Sequence, residues 1–310
     1  MSIRPLTKEL EAKAKSELNE EPKRVQEDIK YIKEWLGQQK HIKARIEDQW
    51  LLTFLRGCKF SLERTKEKLD MYYAMRTIIP EFFSQRDPFE PSVQELLSIG
   101  AFVPLVKYGG RTDPKYLIFR STVFDPEKHT AIDAFKINLM INDILMNEDD
   151  QMVIGGICVV TDMGNMSVAQ MMSYTPSVMK KVMTCFEEGY PTRPKEIHFY
   201  KIPSFFEAMF NMVKPFMKEK MLKRVFVHKK SDLSSLQKHI PKAILPAEYG
   251  GDAGPIQDMI DFWKAKIESY AGWFKEDYQY KTDESLRPGK PKTSSELFGI
   301  EGSFRKLNVD

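Results

Sequence analysis

The chain has 310 residues, 42% of them hydrophobic and 29% charged, with a formal net charge of +3. That length and apolar content predict a soluble globular protein of one large or two modest domains, while so small a net charge argues against a nucleic-acid binder. The longest purely apolar run, residues 154–160, contains two glycines and falls far short of the roughly 20 residues that span a membrane.

The first residues, MSIRPLTKELEAKAKSELNEE, alternate charge and lack the apolar stretch of a signal peptide. They read as a charged, frayed helix. Pro22 starts a clearer helix, with Val25, Ile29, Ile32, Trp35 and Leu36 at helical spacing and Gly37 at its end. A second helix carries Trp50, Leu51, Phe54 and Leu55 and stops at Gly57; Ser61 caps a third, with Leu62, Thr65, Leu69, Tyr72 and Tyr73 on one face and Pro80 just beyond it. These predict an N-terminal helical bundle over residues 1–92, closed by the linker RDPFEPS at 86–92.

Character then changes. Strands are expected at 101–106 and 116–121, a helix at 133–147, and at 154–161 the continuous apolar run of a strand buried on both faces. Thr175 and Pro176 open a helix whose Val178, Met179, Val182, Met183 and Phe186 form one stripe, ended by Gly189. A strand at 197–202 puts Ile197 and Phe199 on one face and His198 and Tyr200 on the other. A strand at 224–229 and a helix at 231–239 follow. Strands alternating with helices predict an α/β domain over 93–280 with a mixed, largely parallel sheet. Residues 281–310 read as a flexible tail, docking weakly through Leu297, Phe298, Ile300, Phe304 and Leu307.

The stretch 190–216 concentrates the most information. Ser204, with Glu207 three residues on, predicts a capping box opening a helix. At roughly 100° per residue, Phe205, Phe206, Met209, Phe210, Met212, Val213 and Phe216 fall on an arc of about 160°. That face must be covered, either as an ordinary core helix, which the pattern by itself favours, or as a mobile lid. Residues 190–230 hold ten Lys/Arg and three Glu, a local balance of 10 − 3 = +7, and 13 of the 17 methionines lie between Met140 and Met221. Methionine suits irregular, adaptable apolar surfaces.

No catalytic constellation assembles. GxGxxG and GxxxxGK[ST] are absent, and His41, His129, His198, His228 and His239 show no HxxxH spacing, so no metal site is expected. Asp162, ending a strand, is the best lone candidate, against the plainer reading that it caps the loop MGNMS. Three widely spaced cysteines make neither a disulfide framework nor a CxxC pair, predicting a reducing cytosol; Cys158 and Cys185 sit in apolar patterns as inert thiols.

The ordered motifs WLLTFLRGCKFSLERTKEKL (50–69) and GGICVVTDMGNMS…YTPSVMKKVMTCFEEGYPTRPKEIHFYKIPSFFEAMFNMVKPFMKEKMLKRVFVH…LPAEYGG (155–251) resemble the CRAL-TRIO lipid-binding family with its preceding helical domain. The likeness covers about residues 25–275 and is strongest to the tocopherol- and retinaldehyde-carrying branch. It implies a carrier that holds one hydrophobic ligand between a sheet floor and a mobile helical lid. By motif, the walls would include Ile157, Thr161, Val168, Met172, Tyr174, Val182, Phe186, Tyr190 and Ile197, and the lid Phe205, Phe206, Met209, Phe210 and Val213. Cations matching a phosphoinositide grip would be Arg193, Lys195, Lys220, Lys223 and Arg224. Cys58 replaces the cation that follows the FLR motif, with Lys59 adjacent. Thr192 stands where the phosphatidylinositol-exchanging branch carries an acidic residue, which disfavours that lipid as cargo.

The resulting expectation is an intracellular, monomeric, non-enzymatic transfer protein for a retinoid, tocopherol or similar isoprenoid. It would need no cofactor beyond its lipid and would exchange cargo at anionic, phosphoinositide-containing membranes. The alternatives are a phosphoinositide-recruited adaptor or lipid sensor without cargo transfer, and an enzyme using Asp162 or a histidine.

Overall fold

The computed structural model describes residues 3–228 and 233–299. The N-terminal part is built from α1 (Lys8–Leu18), α2 (Val25–Gln38), α3 (Asp48–Gly57) and α4 (Leu62–Ile78). Helix α1 is capped at both ends, by the Thr7 side chain and by Asn19 in the left-handed conformation, and is not frayed. Its Leu10, Ala14 and Leu18 are buried against Ile154. Helix α2 runs one residue past Gly37. Gly57 ends α3 for a tertiary reason: a Cβ there would stand 2.1 Å from the Pro191 carbonyl oxygen, so only glycine lets the helix end abut the chain approaching the fourth strand.

After α5 (Pro80–Phe83), the expected linker proves to be structured. Pro91 pre-sets the first turn of α6 (Pro91–Ile99), which buries Val93, Leu96 and Leu97. Then come β1 (Phe102–Pro104), β2 (Lys115–Arg120), α7 (Ala131–Glu148), α8 (Asp150–Gly155), β3 (Ile157–Asp162), α9 (Val168–Ser173), α10 (Pro176–Thr184), β4 (Pro194–Tyr200), α11 (Phe206–Val213), α12 (Glu219–Leu222) and β5 (Val225–Val227). The five described strands lie in the order β1-β2-β3-β4-β5, antiparallel between the first two and parallel thereafter. The mixed, largely parallel sheet expected from the sequence is therefore present. Ile154 and Gly155 fall in α8 and not in the strand, because Asp149 caps Met152 N at 2.9 Å and starts a helix that Gly156, at φ 89°, terminates.

Alternation along β2, β3 and β4 separates two cores. Leu117, Phe119, Ile157, Val159, Thr161, Ile197 and Phe199 face the larger one. Tyr116, Ile118, Cys158, Val160 and Tyr200 face a second, completed by α13 (Leu233–Gln237) and α14 (Ile256–Ser269). Beyond these lie α15 (Ala271–Asp277) and α16 (Ser294–Phe298). No helix among the described residues is long and apolar enough to cross a membrane.

A buried ionic cluster joins the two parts of the chain. Arg86 bonds Asp143 at 2.6 Å and Asp277 at 2.5 Å, Arg76 reaches the same two carboxylates at 3.3 and 3.2 Å, and Arg45 reaches Asp277 at 3.2 Å. Burial alone would raise the Asp277 pKa, but Arg76, Arg86 and Arg45 hold it below its ordinary value. The weakly docked tail also needs correction over 281–299. Arg287 and Lys292 grip Asp70 at 2.7 Å each, Thr282 bridges to Ile42, and Phe298 is buried. Ile300, Phe304, Leu307 and Lys229 lie outside the described residues.

Candidate functional site

On the sheet face that carries Leu117, Phe119, Ile157, Val159, Thr161, Ile197 and Phe199 lies a cavity of about 190 Å³. Phe135, Asn138 and Asn142 of α7 form one wall, Met179, Val182 and Met183 of α10 another, and Met209, Phe210 and Val213 of α11 line it as well. A π-helical turn over Cys185–Gly189 carries Phe186 to the same wall. Helix α11 is held over the sheet by rings: Phe199 meets Phe206 at 5.0 Å and Phe210 at 5.8 Å between centroids.

The start of α11 differs from the sequence expectation. Phe206 N donates to Pro203 O at 3.1 Å, closing a turn before the helix begins, and Phe205 provides an N-cap with no side-chain hydrogen bond. The Ser204–Glu207 capping box is thus replaced by that turn. The far end is set by Pro215, which has no N–H and leaves Lys214–Phe216 as a 3-10 turn.

Of the residues singled out for cargo, Ile157, Thr161, Tyr174, Val182, Phe186, Ile197, Met209, Phe210 and Val213 line the cavity. Val168 and Met172 do not: they are 61% and 68% exposed, one helical turn apart on the outward face of α9. The buried member of that helix is Gln170, whose amide donates to Thr122 O and Phe124 O at 2.8 and 3.1 Å. Tyr190 is also elsewhere, fully buried with its hydroxyl on Asp143. Phe206 packs between Phe199 and Phe210 behind the wall, and Phe205 packs against the main core. Sequence reasoning missed Phe135, Val159, Met163, Met166, Phe199, Met217, Met221 and the two asparagines. Val159 and Phe199 were reachable by counting two residues from Ile157 and Ile197; the asparagines carried no signal. Asn142 donates from Nδ2 to Asn138 O at 2.9 Å, and its own Oδ1 is buried without a hydrogen-bond partner.

The cations divide. Arg193 is turned inward, donating to Ile154 O with Glu17 at 3.9 Å, and burial lowers its pKa; Lys195 pairs with Glu17 at 3.0 Å. Arg224 donates to Pro194 O. These three therefore tie α1 and β5 to the start of β4 and are not gathered on a common free surface. Because α12 ends at Leu222, Arg224 does not share a helical face with Lys220 and Lys223; both lysines, with Lys214 and Lys218, are exposed. Lys59 is exposed, and Cys58 buried.

Asp162 is occupied as a loop anchor: Oδ1 accepts from Gly164 N at 2.9 Å, and Oδ2 accepts from Tyr249 at 2.8 Å and Lys201 at 3.3 Å. Burial pushes the Cys158 thiol up to about 12 and raises that of Cys185, which makes both poor nucleophiles. His198, His228 and His239, distant in sequence, converge with Glu196 on the opposite face of the sheet.

The family model of the CRAL/TRIO domain matches residues 106–251, and that of the Pinta-like, UBA domain matches residues 21–93. Alpha-tocopherol transfer protein-like of Mus musculus is 31% identical over 267 residues, covering 84% of this chain and 75% of that protein. Its Homo sapiens counterpart is 30% identical with the same coverage, and Clavesin-2 of Homo sapiens is 27% identical, covering 92% of this chain and 85% of that one. The chain belongs to the CRAL-TRIO family of lipid-binding and lipid-transfer proteins.

Proposed function

We propose that this protein carries one isoprenoid-type lipid bearing a single hydroxyl, a tocopherol, retinoid or similar alcohol, and exchanges it at anionic membranes, including those that contain phosphoinositides. The observation that carries this reading is an apolar cavity lined in part by Asn142, whose Oδ1 lies buried without a hydrogen-bond partner and would meet a cargo hydroxyl once the flexible walls give way. A hydroxyl donor there would satisfy an atom that otherwise costs about 1–3 kcal/mol to leave unpaired. The name of the Mus musculus relative supports the same class of ligand.

The cavity's 190 Å³ is below the roughly 300–1,000 Å³ of sites for drug-sized ligands, so cargo must displace flexible walls. Met163, Met166, Met179, Met183, Met209, Met217 and Met221 supply them. Burying roughly 20 carbons at about 0.8 kcal/mol each gives on the order of 15 kcal/mol gross, which makes release into water very slow. The exposed Lys214, Lys218, Lys220 and Lys223 beside α11 supply a trigger. At about 1 kcal/mol per cation near an anionic leaflet, they supply about 4 kcal/mol, comparable to the roughly 5.5 kcal/mol that inverts a 1:99 balance of open and closed lid. This requires that the contacts form only when α11 has moved. The chemistry in this reading is binding, with no catalytic step.

The test extracts purified protein with organic solvent, identifies lipid by mass spectrometry, and follows transfer of tocopherol and retinol between vesicles with and without phosphoinositide. Stoichiometric lipid and vesicle-to-vesicle transfer are expected. Absence of both lipid and uptake would overturn the carrier reading, and phosphoinositide-dependent binding without transfer would favour a membrane adaptor.

A further inference from the structure

We propose that Glu196, His198 and His239 form a zinc-binding site on the face of the sheet opposite the cargo cavity. Strand β4 presents Glu196 and His198 two residues apart, hence on one face, and the turn after α13 brings His239 to the same point. One oxygen, Glu196 Oε2, lies 2.9 Å from His198 Nε2 and 3.2 Å from His239 Nδ1, and one ligand atom from each residue falls within 4.8 Å of the others. Zinc bonds of about 2.0–2.2 Å at tetrahedral angles place such atoms roughly 3.3–3.6 Å apart, so closing on the ion takes relative shifts of up to about 1.5 Å, shared among three side chains. Two imidazoles and a carboxylate are a borderline donor set that suits zinc over calcium or magnesium.

The surroundings complete the pattern of a metal-ligating histidine. His198 Nδ1 lies 2.9 Å from His228 Nε2, and His228 Nδ1 lies 2.8 Å from Ser235 Oγ. With the His198 Nε2 lone pair on the ion, its proton sits on Nδ1 and is donated to His228 Nε2. His228 in turn donates from Nδ1 to the serine oxygen. Both rings stay neutral and only their tautomers change. Such outer partners orient a ligating ring and raise its basicity. Phe226 stacks on His198 at 5.1 Å and meets His239 at 4.6 Å, fixing both rings from another side. The Glu196 and His239 side chains are 33% and 28% exposed, which gives an ion a path in and leaves a fourth position to water. Bound there, zinc would clamp β4 to the turn after α13, without touching the cargo walls.

The test uses tag-free, chelator-stripped full-length protein, titrated with Zn²⁺ against a competing chelator, with Co²⁺ as a spectroscopic reporter of four-coordinate nitrogen and oxygen ligation. One equivalent per chain is expected, with a zinc-dependent rise in melting temperature. Glu196→Gln and His239→Asn are each expected to weaken binding at least a hundredfold and to abolish that rise, and Ser235→Ala to weaken it about 10–100-fold through the relay. Both ligand variants alter part-exposed side chains, and their metal-free melting temperatures serve as the folding control. Failure of the wild type to take up one equivalent, or stoichiometric uptake unchanged in both ligand variants, overturns the proposal.

Discussion

Tyr190 donates its phenolic hydroxyl to Asp143 Oδ1 at 2.9 Å, on the same oxygen that Tyr72 reaches at 2.8 Å. The tyrosine that opens the 190–216 stretch is therefore a support for a buried carboxylate. Tyr190→Phe is expected to cost about 1.5–3 kcal/mol of stability, the range for a hydrogen bond to a charged group, while leaving cargo affinity within a factor of two. Urea unfolding and a fluorescent-lipid titration check it, and a cargo-wall role would give the reverse split.

Acid should release the C-terminal segment early. Burial by itself would raise the Asp70 pKa, but hydrogen bonds from Arg287 and Lys292 bring it down to about 2. A depressed folded-state pKa contributes stability that is complete above the unfolded value near 4 and is lost as pH falls through 2, on the order of 2 kcal/mol in all. Proteolytic susceptibility of 281–299 should rise between about pH 4 and 2 in the wild type, and Asp70→Asn should show that susceptibility already at pH 7.

On α11, Phe210→Ala is expected to weaken cargo binding ten- to hundredfold, by the roughly 1.5–3 kcal/mol of a buried aromatic side chain, with a smaller loss of stability because the half-buried ring also packs on Phe199. Asn142→Leu should act differently, reducing the preference for an alcohol over its hydrocarbon analogue by about 1 kcal/mol, or fivefold. Competition between retinol and its deoxy analogue reads this directly.

Lys220→Gln combined with Lys223→Gln is expected to weaken binding to anionic liposomes by about 2 kcal/mol, roughly thirtyfold, at unchanged cargo affinity. Arg224→Gln should instead lower stability, since its guanidinium holds Pro194 O. Sedimentation at two salt concentrations, alongside thermal melts, separates the two outcomes.

What could be read in the sequence was what alternates or repeats. Period-two alternation around Ile157 and Ile197 gave the sheet and its cavity face, and helical spacing gave α2, α3, α4 and α10. Pro91, followed by Val93, Leu96 and Leu97, was a legible helix start hidden by the prolines and aspartate before it. Convergence through space was not legible. Nothing in the spacing of Glu196, His198, His228 and His239 shows that β5 and α13 return to β4, and nothing local shows that Arg193 bends inward to Ile154. Val168 and Met172 were apolar in a polar place, and only the orientation of α9 around Gln170 shows which side looks out.

The buried ionic cluster draws its three arginines, Arg45, Arg76 and Arg86, from the first 92 residues and its two carboxylates, Asp143 and Asp277, from the rest. Each portion holds the counter-charges of the other, and a buried charge stripped of its partner costs roughly 3–5 kcal/mol. Grafting either portion onto the complementary half of another family member is therefore expected to give a stable fold only where the recipient brings the matching set of charges.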